Sequence, residues 1–348
     1  MRKALGWLAV AVVVLSGCAG SAAKRNRDVD GLMQRYTGNV PGASLLVLKD
    51  GAPVVRRGYG MADLEQGVAA TSATNYRLAS VTKQFTAASI LLLVQDGRVG
   101  LDDPVRRWLP SLPSAADGIT IRHLLTHTGG LIDYEDIMAP DTKVQLRDVD
   151  VLHLLESTNR TYFQPGSQYR YSNGGYAMLA LIVEKASGMS FQAFLHERIF
   201  QPLGMAHTLA YVQGGPSVDH RAFGYSEEGG GWTRTDQSMT SAVLGDGGIY
   251  SSVDDLARWD AALYDDRLLI DESRRLAFRP WTHTDDPTIE YGFGWRITGE
   301  TLWHSGESIG FRNVIVRYPG HHLTVILLTN RNDPEPYRTA LAVAALFR

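Results

Sequence analysis

Cysteine is almost absent from this sequence. Cys18 stands alone among 348 residues, so no intrachain disulfide can form. No long basic block appears either. The formal net charge is −3, with both signs spread along the chain, which argues against a nucleic-acid partner. The apolar run at the N-terminus, Leu5 to Leu15, is too short to span a bilayer comfortably. Internal repeats are lacking, and the low-complexity content is confined to "EEGGG". His123 and His127 are four residues apart, but no glutamate follows His123 as H-E-x-x-H requires. Neither a zinc site nor any other cofactor is expected. What remains is an ordinary globular composition, 44% hydrophobic, in a chain long enough for one large domain or two smaller ones.

The N-terminus departs from that composition. "MRKALGWLAVAVVVLSGCAG" places Arg2 and Lys3 before the apolar run and small residues after it, the pattern of a secretory signal. Leu15-Ser16-Gly17-Cys18 resembles the bacterial lipobox, in which cleavage precedes a cysteine that is then lipidated. That resemblance implies a signal over 1–17 and a lipid anchor at Cys18, hence a periplasmic protein held on a membrane. Ala19 after the cysteine points to the outer one. Residues 18–28 read as a short polar tether.

Beyond the tether, "ASLLVLKDGAPVVRRGYG" reads as two strands around a Lys49-Asp50-Gly51 turn. "TKQFTAASILLLVQDG" reads as an apolar helix ending near Gly97. From Leu101 to about Thr240 helices and irregular loops alternate, punctuated by glycine and proline. "SSVDDLARWDAALYDD" is a helix with Ser252 as its cap. "YGFGWRI", "TLWHSG", "FRNVIVRYP" and "HLTVILLTN" read as strands, and a last helix runs from about Pro336 to Phe347. The expected fold is α/β (α+β): an antiparallel sheet part over about 29–83 and 245–348, with a mostly helical insert over about 84–244.

In "YRLASVTKQFTAASILLLVQDG", Lys83 follows Ser80 by three residues at the start of the apolar helix. That spacing puts both side chains on one face. The positive helix N-terminus and a desolvated lysine suit a serine that must be deprotonated. A helix cap with a lysine reaching out to solvent explains the same residues. Ser21 and Lys24 repeat the spacing without an apolar helix behind them. Two further stretches bear on the choice: Tyr171-Ser172-Asn173, in a loop before "GGYAML", and His304-Ser305-Gly306, at the end of a strand.

Ser-x-x-Lys, Tyr-x-Asn and [Lys/His]-[Ser/Thr]-Gly in that chain order resemble the three motifs of serine β-lactamases and penicillin-binding proteins. The Tyr-x-Asn form is similar to the class C branch, with its DD-peptidase-like and family-VIII-esterase-like members. "LLTHTGGL" and "YGFGW" are similar to stretches common there. The resemblance implies that Ser80 is the acylated nucleophile, with Lys83 and Tyr171 sharing its deprotonation and Tyr171 serving the leaving group. It implies that Asn173, His304 and Ser305 contact substrate. The N–H groups of Ser80 and Glu307 would form the oxyanion hole, and Gly306 would let substrate approach. A phenol this close to Lys83 is expected to have a lowered pKa.

Two other matches compete. His127-Thr128-Gly129 also fits the third motif, but it precedes Tyr171 and follows a helical pattern, so a glycine-terminated helix is expected. Gly306-Glu307-Ser308-Ile309-Gly310 is a literal G-x-S-x-G. In an α/β-hydrolase a helix follows that serine, and an acid and then a histidine come later, whereas here a strand follows. His304 replaces the lysine of most β-lactamases and is mostly neutral at pH 7.5. Weak β-lactam turnover is therefore expected, with carboxylate-bearing substrates gaining as the pH falls toward 6. Arg312 could supply part of the missing charge. The expected activity is a serine hydrolase acting on D-amino-acid cell-wall peptides, esters or β-lactams. The rivals are a catalytically weak binder of envelope glycopeptides and a carboxylesterase using Ser308.

Overall fold

The computed structural model describes residues 22–348. Cys18, the leader and Ser21 lie outside that range. Helix α1 covers residues 22–32. The hairpin around Lys49–Gly51 is present as β1 (Ala43–Lys49) and β2 (Ala52–Tyr59). The apolar helix is α2 (Lys83–Gln95), and the one after the Tyr171 loop is α3 (Asn173–Ser187). Helix α4 is Val253–Ala262; Ser252 caps it by accepting from Asp255 N. Then come β3 (Thr282–His283), β4 (Glu290–Tyr291), β5 (Arg296–Thr298), β6 (Thr301–Ser308), β7 (Phe311–Tyr318) and β8 (Leu323–Thr329). Helix α5 (Tyr337–Ala345) is the last helix described.

These eight strands form one antiparallel sheet in the order β3-β4-β5-β6-β7-β8-β1-β2. Strand β8 joins the C-terminal strands to β1, pairing Leu45 with Leu327 and Val47 with Val325. Side chains alternate between faces along a strand, so a sheet covered on both sides needs near-continuous apolar sequence. "LTVILLT" in β8 is buried throughout for that reason. Leu45, Val47, Val325 and Leu327 face one cluster with Val29 and Met33 near α1 and with Ala340 and Val343 of α5. Leu46, Ile315, Ile326 and Leu328 face a larger one with α2, α3 and α4.

Some expectations change here. Most of the segment expected as a polar tether is helical from residue 22. Lys24 pairs with Asp28 one turn on, Arg25 lies over the Phe347 ring, and Val29 and Met33 are buried against α5. The stretch after α2 also holds short strands, Leu209–Ala210, Tyr225–Glu228, Gly231–Arg234 and Ile249–Ser251, which are too brief to show a periodicity. Among the described residues no single helix is long and apolar enough to cross a membrane.

Helix α2 is buried on every side from Lys83 to Leu93, the mark of a central core helix. Trp259 of α4 donates to Gln84 Oε1 of α2 at 3.0 Å, a polar tie between the two helices. The start of α2 is therefore fixed in place within the core.

Candidate active site

Ser80 sits in a single 3-10 turn, Ala79–Thr82, which leads into α2. The chain reaches it along Tyr76–Arg77, which pairs with Tyr250–Ser251. Asn313 of β7 donates to the Arg77 carbonyl at 2.7 Å, and Leu78 N donates to the Ile249 carbonyl at 2.8 Å. Ala79 then takes φ 49°, a left-handed conformation unfavourable for a residue with a Cβ. The turn is thus held from both sides, while Ser80 stays partly accessible.

Lys83 is 0% exposed. Its Nζ lies 3.0 Å from Ser80 Oγ, 2.8 Å from Asn173 Oδ1 and 3.0 Å from the Asp246 carbonyl oxygen. Burial brings its pKa down to about 8, against the pull of Asp246, Asp133 and Glu135. A neutral amine has two N–H donors and one lone pair. With Asn173 and the Asp246 carbonyl taking the donors, the lone pair is left for the Ser80 hydroxyl. Lys83 is not the solvated lysine of the competing explanation, and the helix-cap position falls on Thr82, not Ser80. Ser80 also sits outside the α-helix, whose first residue is Lys83 itself.

Tyr171 packs in an aromatic cluster beside this pair. Lys83 Nζ is 4.8 Å from its ring centroid, and the ring centroids of His127 and His304 lie 4.3 Å and 6.2 Å away. Burial pushes the phenol well above its ordinary value, and the nearby Ser80 hydroxyl and Arg296 oppose this only in part. The expected lowering by Lys83 is overturned: desolvation outweighs a cation that is itself driven toward neutrality. Asn173 opens α3 after the Ser172 cap, whose Oγ accepts from Gly175 N at 3.0 Å. That cap turns the Asn173 side chain toward Lys83 on one side and Glu135 on the other, at 3.2 Å from Nδ2 to Oε1.

His304 is 1% exposed on β6. Its Nδ1 lies 2.6 Å from the Ser305 carbonyl, which requires a proton on that nitrogen. Nε2 is then the acceptor for the Tyr291 hydroxyl at 2.9 Å. Burial, then Arg296 and Lys83, hold its pKa well below the usual histidine range. It stays neutral at pH 6 as well as at pH 8, so the expected gain of carboxylate-bearing substrates at pH 6 does not follow. Arg312 does not replace the charge: it donates to the Ser308 and Phe311 carbonyls and lies 3.5 Å from Glu307.

Strand β5 pairs with β6 only over Thr301–Trp303, so Ser305, Gly306 and Glu307 lie beyond that pairing. Gly306 has a different reason from the expected one. A Cβ there would sit 2.0 Å from the Leu78 carbonyl oxygen and 3.2 Å from Ser80 N. The missing side chain makes room for the Leu78–Ser80 turn. Ser80, Tyr134, Glu135, Asn173, Asp246 and Glu307 line one cavity of about 240 Å³. Larger hollows exist, one of about 710 Å³ beside Lys143 and Gln237, but Ser80 and Lys83 do not line them.

Neither competing match forms a second site. Ser308 ends β6, and β7 begins at Phe311, so a strand rather than a helix follows it. Its Oγ is buried without a hydrogen-bond partner, leaving no base to activate it. The helix before His127 is Ile121–Leu125, and the left-handed residue after it is His127 itself, at φ 59°, rather than Gly129. His127 is buried against Tyr171, Tyr176 and Tyr291, and its Nδ1 accepts from Ser172 N at 3.0 Å. It holds the Tyr171 loop in place, a function not foreseen in the sequence. Tyr134, Glu135 and Asp246 were also missed. They lie in segments without a recognisable motif.

The profile described as Beta-lactamase matches residues 26–347. The chain belongs to the beta-lactamase family of serine hydrolases. It is 35% identical over 321 residues to penicillin-binding protein 4* of Bacillus subtilis, covering 87% of this chain and 71% of that protein. It is 29% identical to a D-aminopeptidase of Gluconobacter oxydans, covering 93% of this chain but 62% of that one. Against the octameric penicillin-binding protein homologue from Pyrococcus abyssi the TM-score is 0.82 at 26% identity, over 93% of this chain and 77% of that chain.

In this β-lactamase-family chain Gly306 has no space for even a single methyl group. Gly306→Ala should displace the Leu78–Ser80 turn and lower ester hydrolysis by about two orders of magnitude, the scale of a misplaced reacting group. A variant with near-wild-type kcat would show that the turn can retreat without consequence.

Proposed function

We propose that the chain hydrolyses amides or peptides of D-amino acids, and related esters, through an acyl-enzyme on Ser80. The observation that carries this reading is the three-way anchoring of the buried Lys83 amine beside Ser80 Oγ. The substrate class rests on the D-aminopeptidase relative and on the neutral His304.

Lys83 takes the Ser80 proton as Oγ bonds to the substrate carbonyl carbon. The N–H groups of Ser80 and Glu307 receive the developing oxyanion. The Tyr171 phenol, kept protonated by burial, gives its proton to the departing amine as the C–N bond breaks. It regains one from Lys83. Water then repeats the attack on the ester carbon and releases Ser80. Asn173 and Ser305 hold the substrate, and neutral His304 packs and hydrogen-bonds beside it. This assigns Lys83 the base and Tyr171 the acid, in place of a shared base. A protein that only binds envelope glycopeptides has no need of that arrangement.

Ser80→Ala should abolish acylation by a p-nitrophenyl ester and a D-amino-acid amide, read as intact mass, while Ser308→Ala keeps most activity. Turnover surviving in Ser80→Ala would reverse the assignment.

The pH profile tests the base. Lys83 is active when neutral, so kcat/KM for a neutral ester should rise with pH on an acid limb near pH 8, well below an ordinary lysine. A profile flat from pH 6 to 9 (a window around the ordinary histidine and amine values) would remove Lys83 as the base.

We also propose lipid anchoring at Cys18 on the periplasmic face of the envelope, in the outer membrane, supported by the lipobox-like Leu15–Cys18 stretch. Cys18→Ser should release the protein to the soluble fraction; persistence in the membrane fraction would show a different anchor.

A further inference from the structure

The cavity at Ser80 extends away from the proton-transfer groups. Its lining includes Asn173, Glu307 and Ile309 but neither Tyr171 nor His304. On the acyl-enzyme reading Tyr171 serves the departing amine, so this cavity receives the acyl part of the substrate. Arg77, Ser238 and Thr240 line it as well, and none of the three takes part in the proton transfers.

Arg77 is 3% exposed and is the one arginine of that lining. Its Nη1 donates to the Ser241 carbonyl at 2.8 Å, Nη2 has no partner among the described residues, and Nε is buried without one. Arg317, buried to a similar degree, has Asp260 at 2.5 Å. A guanidinium stays charged when buried, so it calls for an anion, and Arg77 lacks one. Asp246 is not a fixed counter-ion: burial pushes its carboxyl up to about 7, against the pull of Lys83 and Arg77, and Oδ2 takes the Tyr134 hydroxyl. Glu135 and Glu307 are exposed, where water and salt screen a charge more than in the interior. Two hydroxyls stand with the guanidinium. In the Ser238–Ser241 turn, Ser238 N donates to Ser241 Oγ at 2.9 Å, and the Ser238 and Thr240 hydroxyls lie 3.2 Å apart. The carbonyl of the same Ser241 holds Arg77. The Arg77 backbone is fixed by its pairing with Tyr250 and by Asn313 on its carbonyl.

We infer that Arg77, with the Ser238 and Thr240 hydroxyls, receives a carboxylate carried on the acyl part of the substrate, so that the site favours anionic acyl groups over neutral ones of the same shape. The inference rests on the acyl-enzyme reading above and adds a specificity-determining residue to it. The edge of the guanidinium that Ser241 leaves free, Nε and Nη2, has two parallel N–H donors, the geometry a carboxylate accepts. The two hydroxyls can donate to its remaining lone pairs. A primary amide in the same place offers one acceptor oxygen and leaves the buried charge unpaired. The rim carboxylates repel an incoming anion, but that repulsion is between exposed and screened charges, whereas the attraction acts at a buried one.

The test uses D-alanine p-nitroanilides N-acylated with malonyl, succinyl or glutaryl groups, on the full chain at pH 7, alongside p-nitrophenyl acetate. Each is compared with the same compound carrying a terminal primary amide in place of the carboxylate. The wild type should prefer the acid to the amide by about tenfold in kcat/KM for at least one chain length, chiefly through KM. Arg77→Gln should remove the preference, Arg77→Lys, which keeps the charge without the fork, should retain part of it, and Thr240→Val should lower it about threefold. A purely structural Arg77 would lower acid and amide together and leave their ratio where it was. That outcome, or acids and amides turned over within about twofold at every length, would overturn the inference while p-nitrophenyl acetate hydrolysis at Ser80 left the acyl-enzyme reading standing. Thr240→Val decides the matter if Arg77→Gln fails to fold, since an unmoved ratio there has the same meaning. Failure of every compound to acylate Ser80 would overturn both.

Discussion

Everything in the site follows from the burial of one amine. Lys83 begins a helix that is enclosed on every side, and its Nζ has no route to water. An ammonium there is penalised by desolvation, and the amine that results must still satisfy its N–H groups. The acceptors come from far along the chain. Asn173 is 90 residues away and the Asp246 carbonyl 163. The fold has to bring the Tyr171 loop and the Leu244–Gly247 turn to the same point. The His127 contact with Ser172, the Ser172 cap and the Asp148 hydrogen bonds do so.

The large sheet contributes through close approach rather than through side chains. Strand β6 comes so near the Ser80 turn that position 306 has no space for a Cβ. That contact sets the distance between Ser80 N–H and the strand that carries Glu307. Two apolar clusters cover the sheet, and they make β1, β7 and β8 a rigid backing for β6. Precision of this kind belongs to packed cores, where a shift of one methyl group has no free volume to absorb it.

How much of this could be read in the sequence depended on distance along the chain. The pairing of Ser80 with Lys83 is local, fixed by helical spacing, and so was the strand hairpin at Lys49–Gly51. The positions of Tyr171, Asn173 and His304 came from resemblance, because nothing in their own neighbourhoods requires them to meet Lys83. His127 was set aside as part of a helix end. Thr126 and Thr128 flank it, and nothing in that stretch shows what the histidine packs against. Asp246 offered less still. It meets Tyr134 across 112 residues, and a Gly-Asp-Gly-Gly stretch reads as a turn whatever lies opposite. The lowered phenol expected for Tyr171 failed for a further reason: a sequence places a cation nearby but does not reveal that the same burial discharges it.

That last point is general to the site. Desolvation lowers the bases Lys83 and His304 and raises the acids Tyr171 and Asp246. The two directions are opposite in pKa and identical in effect, since each favours the uncharged form. The interior of the site therefore tends toward a set of neutral donors and acceptors already pointed at one another. On the proposed route, moving a proton from Ser80 to Lys83 and on through Tyr171 creates charge only transiently and over short distances. The groups that receive it are fixed before substrate arrives, so little reorganisation accompanies the step. Two carboxylates, Glu135 and Glu307, stand exposed at the rim. The site thus layers its groups by depth, with neutral donors and acceptors inside and exposed carboxylates at the mouth. Asp246 stands at the boundary, buried with the first set and lining the cavity with the second.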